Sequence, residues 1–431
     1  MKSKLIIGCM LLGALSVKAQ VQPISAAEYK EKVLEYSRQI KQSSEERIAM
    51  QHAIKAAKTA FFPAVDFSGS YQYRINKYEL GMGEGIPGIE MDHNTYSLGA
   101  TVSQPIYAGG QIYNNYKAAQ IQGQIASEAE DLTTDNIVYA ADLNYWSAAA
   151  RKGMYDVMCQ YVDIVQELAN VLTTRFNDGQ ISKTDLLQVQ SRLKEAELNK
   201  SAAYKDYQIA LQNLNVLMGV PPMTPVEIAD AITTVQPLPM HIGEEAALQN
   251  RPDFTISRLN VEYQKRQINL SKAKYNPTLA IGFQGTWGTP MLNVKGSDQL
   301  WTPAVFASLK IPLFRWGARF KEVNSQKAIL RSKEYVMDYT RDQISQEVAN
   351  SWTSLTENTK QIDVAEEACK IAEENLDLNT FSYKEGKLPI LDVLSAQLSW
   401  IQSYSSLIQT WYQQKASLAQ YNKAVGIRRL Q

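Results

Sequence analysis

A stretch written twice limits what this chain can fold into more than any other feature. Arg175 to Gln190, RFNDGQISKTDLLQVQ, returns at Ser382 to Gln397 as SYKEGKLPILDVLSAQ, with Gly179 on Gly386, Asp185 on Asp392 and Gln190 on Gln397. The same spacing of 207 residues carries Pro105 onto Pro312, Gly110 onto Gly317 and Gly219 onto Gly426. Upstream it becomes 214, pairing Leu34 with Leu248 and Pro63 with Pro277, so the first copy holds a longer loop between Pro63 and Pro105. Pro and Gly punctuate backbone, and chance would not keep them in step over so long a run. The chain therefore reads as a leader at 1–19 and two repeats, 20–236 and 237–431, that together make one intertwined domain.

Each repeat changes its hydrophobic period twice. Ala26 to Phe62 has no internal Pro or Gly and reads as one helix stopped by Pro63. From Val65 to Ile75 the apolar residues Val65, Phe67, Tyr71 and Tyr73 alternate with Asp66, Ser68, Ser70 and Gln72, as in a two-faced strand. A loop from Asn76 to His93 carries Gly81, Gly83, Gly85 and Gly88, after which Tyr96, Leu98, Ala100, Val102 and Ile106 resume the alternation. Repeat two has the matching pair, with Leu279, Ile281, Phe283 and Trp287 on one strand and Val305, Ala307, Leu309 and Ile311 on the next.

Next comes a run without proline from Gln111 to Phe176, which as a single helix spans about 100 Å. A helix of that length needs company. Val157, Tyr161, Ile164, Leu168 and Val171 give it a coiled-coil seam, and Leu186, Val189, Leu193 and Ala196 begin a second seam on a helix from Ser182 to Met218. That helix and the leading one are each about half the length of the long helix and should line it end to end. A Pro-rich belt, Gly219 to Gly243, joins the repeats, and the second repeats the parts as Glu244 to Asn276, two strands, a long helix from Ala318, the hinge at Gly386 and Leu391 to Ala424.

Composition excludes several classes. Lys and Arg number 44 and Asp and Glu 44, so no basic surplus is available for nucleic acid. His52, His93 and His241 are scattered without metal or catalytic spacing, and no phosphate loop or nucleophile motif occurs, so neither enzyme nor cofactor is expected. Residues 1–19, with Lys2 and Lys4 before the apolar run Leu5 to Val17, read as a signal peptide. Cys9 follows too few apolar residues to read as a lipid-anchor site, and Cys159 and Cys369 read as buried helix thiols. Beyond the leader no apolar run is long enough for a transmembrane helix.

The strands have the length a tilted membrane strand needs, yet four cannot close a barrel, and open edges are forbidden in lipid. If they span a bilayer, several copies share one barrel. An exported chain with membrane-length strands at one end and a long coiled coil at the other reads as a tube reaching inward from an outer membrane. The rival reading is a periplasmic coiled-coil scaffold whose strands form a soluble cap. Tyr71, Tyr73, Tyr96, Tyr107, Trp287, Trp301 and Trp316 are available for an interfacial girdle.

The tandem repeat, Pro63 and Pro277 before each first strand, PIYAGG at Pro105, PLFRWG at Pro312 and the two Gly-Asp hinges resemble the TolC family of outer-membrane efflux proteins over nearly all the mature length. The resemblance implies a mainly α fold with a small β part: long coiled-coil helices forming an α-barrel tunnel, and four strands per chain contributing to a shared twelve-stranded barrel of a homotrimer in the outer membrane of a Gram-negative bacterium. It implies an exit duct for a tripartite efflux pump, or a protein-secretion exit channel of the same family, docked through its hinge tips to a periplasmic adaptor and through that to an inner-membrane transporter.

By position the tips are Gly179, Gln180, Ile181, Gly386, Lys387 and Leu388. Ile181 and Leu388, apolar on an exposed tip, are the docking candidates. Asp392 matches an aspartate lining the family's periplasmic entrance, where the family's second acidic residue falls on Ser395. Asp185 and Tyr383 match members of a hydrogen-bonded lock whose arginine falls here on Leu388. Plain turn and capping chemistry explains part of this: Gly reverses helix ends, Ser182 and Asp185 make a capping pair, and Asp392 sits in a first helical turn.

Overall fold

The computed structural model describes residues 23–76, 79–80, 89–290, 294 and 297–427. The leader, Cys9 and the loop positions Gly81, Gly83, Gly85 and Gly88 lie outside them. In chain order the elements are β1 (Pro23–Ile24), α1 (Ala26–Tyr36), α2 (Arg38–Thr59), β2 (Ala64–Tyr73), β3 (Glu79–Leu80), β4 (Ile89–Glu90), β5 (Asn94–Ala108), α3 (Gln111–Asn177) and α4 (Lys183–Met218). There follow β6 (Glu227–Ile228), α5 (Glu244–Asn250), α6 (Pro252–Ala273), β7 (Thr278–Gly288), β8 (Leu300–Lys310), α7 (Ala318–Lys384) and α8 (Ile390–Ala424).

The two long helices have 67 residues each. The half-length partners fall where the sequence places them: α3 packs on α2 and α4, and α7 on α6 and α8. The α4 seam is buried at Leu186, Val189, Leu193, Ala196 and Leu214. On α3 the buried stripe is wider than expected. Val157, Tyr161 and Leu168 are joined by Val165, Ala169 and Leu172, because α8 packs on α3 as well as α4 does.

Neither leading helix is continuous. The expected single helix from Ala26 breaks at Ser37 (φ −44°, ψ 116°), whose hydroxyl accepts from the Ile40 N–H and starts α2. The Tyr36 ring beside it lies on Gly219, where a Cβ would come within 2.1 Å of the ring. The second copy breaks at the equivalent Arg251, because proline at 252 suits the first turn of a helix and drives its predecessor out of the helical region. Arg251 is buried, and its guanidinium lies 2.5 Å from Asp253 and 2.5 Å from Glu347, tying α6 to α7.

The four long strands form one antiparallel sheet in the order β2-β5-β7-β8. The β5–β7 pairing joins the hairpins of the two repeats, and β2 and β8 are left as edges. Cross-strand pairing aligns the apolar sets: Val65 with Val102, Phe67 with Ala100, Tyr71 with Tyr96, Leu98 with Trp287, Val102 with Phe283, Phe283 with Val305, and Trp287 with Trp301. One face of the whole sheet is thus apolar and uncovered, and the other carries Ser68, Ser70, Ser97, Thr101, Gln284, Thr302 and Ser308. The register shifts between Pro105 and Tyr107, which puts Ile106 at a bulge rather than in the alternating row. On the polar face the Phe306 ring covers Gly282.

The belt contains a pairing that periodicity does not reveal. β1 lies parallel to β6, and the Tyr145 hydroxyl sits 2.9 Å from the Ile24 carbonyl and 2.8 Å from the Asp230 carboxylate. Lys415 is buried there, its ammonium donating to the Thr234 carbonyl and standing 4.3 Å above the Trp146 ring. Burial pushes that amine below the usual lysine range, against the pull of Asp230. Cys369 is buried and Cys159 half-buried, both as free thiols.

Candidate functional site

The far ends of the two helical hairpins, opposite the sheet, hold every site residue read from the sequence. At each tip the long helix closes with the same hydrogen-bond pair. Gln180 N–H bonds the Arg175 carbonyl at 2.8 Å and Gly179 N–H bonds Phe176 at 3.0 Å, while Lys387 bonds Ser382 at 2.9 Å and Gly386 bonds Tyr383 at 2.9 Å. Both glycines have φ +72°, and a Cβ on either would meet nothing within 4 Å. Backbone conformation alone requires glycine at these turns.

Gly179, Gln180, Gly386 and Lys387 are exposed. Ile181 is not the free apolar tip that the sequence reading expected: it is half-buried and packs against the helical core. Leu388 is half-buried too. A three-residue link between the C-cap of one helix and the N-cap of the next leaves little chain to hold either side chain away from the helices.

After the turn, Ser182 and Asp185 form a full capping box, with Asp185 N–H on the Ser182 hydroxyl at 3.2 Å and Ser182 N–H on the Asp185 carboxylate at 3.3 Å. The carboxylate also accepts from the Ser182 hydroxyl at 2.9 Å. No hydrogen bond joins Asp185 to Tyr383. The Tyr383 side chain is buried with its hydroxyl unpartnered among the described residues. Burial raises this phenol above its usual range; the Arg175 guanidinium opposes the shift and the Asp185 charge adds to it.

Arg175, which the sequence reading passed over, holds the two tips together. Its guanidinium lies 5.3 Å from the Tyr383 ring centre and donates to the Tyr383 carbonyl at 3.4 Å and the Lys384 carbonyl at 2.6 Å. These carbonyls lie at the negative end of α7, where a cation is favoured, and that of Tyr383 also accepts from the Gly386 N–H. The signal was an asymmetry inside the repeat, since the position equivalent to Arg175 is the uncharged Ser382.

On α8, Asp392 and Ser395 lie on an exposed polar stripe that continues through Ser399, Gln402 and Ser406 in steps of three and four. The opposite side, Val393, Leu394, Gln397, Trp400 and Ile401, is buried. Asp392 is the acidic residue of the first turn and follows the N-cap Pro389, which has no side chain to cap with. The described residues hold no group of three or more His, Cys, Asp or Glu placed for a metal. None of the described helices is long and apolar enough to cross a membrane.

Comparison with known proteins agrees with this geometry. The family model for outer membrane efflux proteins matches residues 30–220 and 245–427. Outer membrane efflux protein BepC of Brucella suis is 21% identical over 360 residues, covering 83% of this chain and 75% of that protein. Outer membrane protein TolC of Escherichia coli is 20% identical over 415 residues, covering 90% and 79%. Among solved structures, the outer membrane protein VceC of Vibrio cholerae superposes with a TM-score of 0.78 at 16% identity, covering 93% of this chain and 96% of that one.

Proposed function

The chain belongs to the outer membrane efflux protein family, and on that premise we propose that three copies close their sheets into one twelve-stranded barrel above a common helical tunnel, which receives substrate at the hinge tips. The observation that carries this is the sheet itself. Its apolar face is continuous over all four strands and uncovered by any helix, and the outer edges of β2 and β8 have no partner strand within the described residues. A soluble cap would bury such a face, whereas a barrel in lipid exposes it and pairs its edges. Strands of 11 residues, such as β7 and β8, tilted by about 45° span about 25 Å, the height of the apolar band of an outer-membrane barrel.

The polar sheet face and the polar stripe of α8 then line one duct, and the tips dock onto a periplasmic adaptor that links it to an inner-membrane transporter. Gln180 and Lys387, exposed at the two turns, make the first contacts in this reading, and Ile181 and Leu388 stiffen the turns from beneath. Purified mature protein in a planar bilayer with unequal salt should show steady single-channel openings that favour cations. A detergent-free soluble protein without conductance would remove the duct.

Arg175 supplies a closing contact in place of the missing Asp185–Tyr383 hydrogen bond. It holds α3 against the end of α7 within each copy, at a worth of about 1 kcal/mol per copy. Arg175→Ala should therefore raise the open probability of the channel severalfold without changing its ion preference. Unchanged gating in single-channel records would show that closure rests elsewhere.

A further inference from the structure

A cavity of about 360 Å³ lies within one chain where α1, α3, α8 and the belt meet. That is the size of a small-molecule site rather than of a water pocket. We propose that it binds a small organic carboxylate with an apolar body and a hydrogen-bond donor, held by Lys415 and Asn422 of α8. The site goes beyond the duct described above and does not depend on it, because a single chain supplies all of its walls. Lys415 lies about two and a half turns beyond Ser406 of the exposed α8 stripe, and hence on the opposite side of the helix. A molecule bound there stands outside the proposed path of exported substrate.

The walls carry the carboxylates of Asp135, Asp142 and Asp230 and the ammoniums of Lys30, Lys415 and Lys423. Their partners decide which charge the cavity lacks. Asp142 lies 3.2 Å from the Lys30 ammonium. Asp230 accepts from the Ala26 N–H at 2.7 Å and from the Tyr145 hydroxyl at 2.8 Å, and Asp135 is not free either. The carboxylates are thus satisfied by the protein itself. Lys415 is only 2% exposed, yet it donates a single hydrogen bond, to the Thr234 carbonyl, and otherwise stands over the Trp146 ring. Lys423 has no hydrogen-bond acceptor among the described residues and stands 4.8 Å from the Tyr139 ring centre.

An ammonium has three donors, and a ring face replaces only part of the hydration that a buried one gives up. An anionic group in the cavity supplies the rest. The downward shift of the Lys415 amine, driven by burial in spite of Asp230, is the direction expected of a cation short of counter-charge.

The other end of the ligand follows from Asn422. It lies about 10 Å beyond Lys415 on the same face of α8, and its amide oxygen is buried without a donor. Such an oxygen needs a hydroxyl or an amide N–H from whatever occupies the cavity. Between the two ends, Leu418 and Ala419 of α8 and Val138 of α3 give the apolar body a wall.

The duplication shows that this chemistry is not part of the shared frame. The repeat positions of Lys415, Trp146 and Lys30 are Gln208, Thr353 and Glu244. A lysine buried only to serve helix packing would have no reason to differ so between the copies. An occupant touches α3 of repeat one and α8 of repeat two together, so its binding should stiffen the contact between the repeats.

The probe is 4-hydroxyphenylacetate, which joins a carboxylate, an apolar ring and a donor hydroxyl. Tyramine replaces its carboxylate with an ammonium, and phenylacetate lacks its hydroxyl. Calorimetric titration of the full-length protein in non-ionic detergent should show saturable binding of one 4-hydroxyphenylacetate per chain. Phenylacetate should bind about fivefold more weakly, and tyramine should not bind. Lys415→Met keeps the bulk of the side chain and should weaken 4-hydroxyphenylacetate by about tenfold or more, whereas Lys194→Met, at an exposed lysine of α4, should leave it unchanged. Should Lys415→Met not fold, Asn422→Leu tests the other end: it should remove the preference for 4-hydroxyphenylacetate over phenylacetate and leave phenylacetate binding as it was. Folded wild-type protein with no saturable binding would mean that water alone fills the cavity, and the site is overturned. It is overturned equally by tyramine binding as tightly as the carboxylate, by full affinity in Lys415→Met, or by a hydroxyl preference that survives Asn422→Leu. Each of these results leaves the conductance test of the duct untouched.

Discussion

Arginine at Phe283 is expected to abolish assembly in the outer membrane, whereas arginine at Gln284, one residue along the same strand, is expected to leave it nearly unchanged. Phe283 is the middle residue of β7 and pairs with Val102 and Val305 on the apolar face, while Gln284 pairs with Thr101 and Ala304 on the polar one. An arginine facing lipid at the bilayer midplane costs about 2–4 kcal/mol, and a trimer carries three. The combined penalty of about 6–12 kcal/mol is comparable with the whole stability of a folded domain. Facing the lumen, the same side chain stays in water and costs little. The readout is the yield of heat-modifiable trimer in washed outer membranes. Normal trimer from Phe283→Arg with loss from Gln284→Arg would invert the sheet and put the polar face in lipid.

The face assignment shows where the sequence stops being readable. Alternation separates Val65, Phe67 and Tyr71 from Ser68, Ser70 and Gln72 within one strand, but it does not say that four such strands align their apolar rows. That follows from the β5–β7 pairing, which joins residues nearly 200 positions apart. The long helices were readable because a run without Pro and with a three-four seam has few other ways to fold. Their caps were readable from Gly179, Gly386 and Ser182.

Other features needed the two copies compared position by position. Pro252 marks a helix break, and the spacing of 214 carries it onto Arg38, so the break at Ser37 was written in the copy that contains the proline. Arg175 and Trp316 are likewise places where the copies disagree, against Ser382 and Gly109. The half-burial of Ile181 and the β1–β6 pair depend on tertiary packing and left no local signal.

Asp392→Lys is expected to reverse the ion preference of the channel. Asp392 is exposed at the start of α8, on the stripe that continues through Ser395 and Ser399, so in the proposed trimer three copies around one axis would place three carboxylates at the tunnel entrance. Each carboxylate about 8 Å from a passing ion contributes about 0.5 kcal/mol at the dielectric of water, so the ring enriches cations about tenfold. Exchanging three negative charges for three positive ones changes the entrance energy by about 3 kcal/mol, enough to change the sign of the reversal potential in a salt gradient. Asp392→Asn separates this from the residue's other role. It removes the charge that also favours the positive end of α8, an effect of about 0.3–1 kcal/mol on that helix, and should bring selectivity close to zero with only slight loss of thermal stability. Ser395→Glu adds a second ring one turn along the same face and should strengthen cation preference. Reversal potentials identical in wild type, Asp392→Asn and Asp392→Lys would mean that the carboxylate serves the helix end alone and that the narrowest part of the duct lies elsewhere.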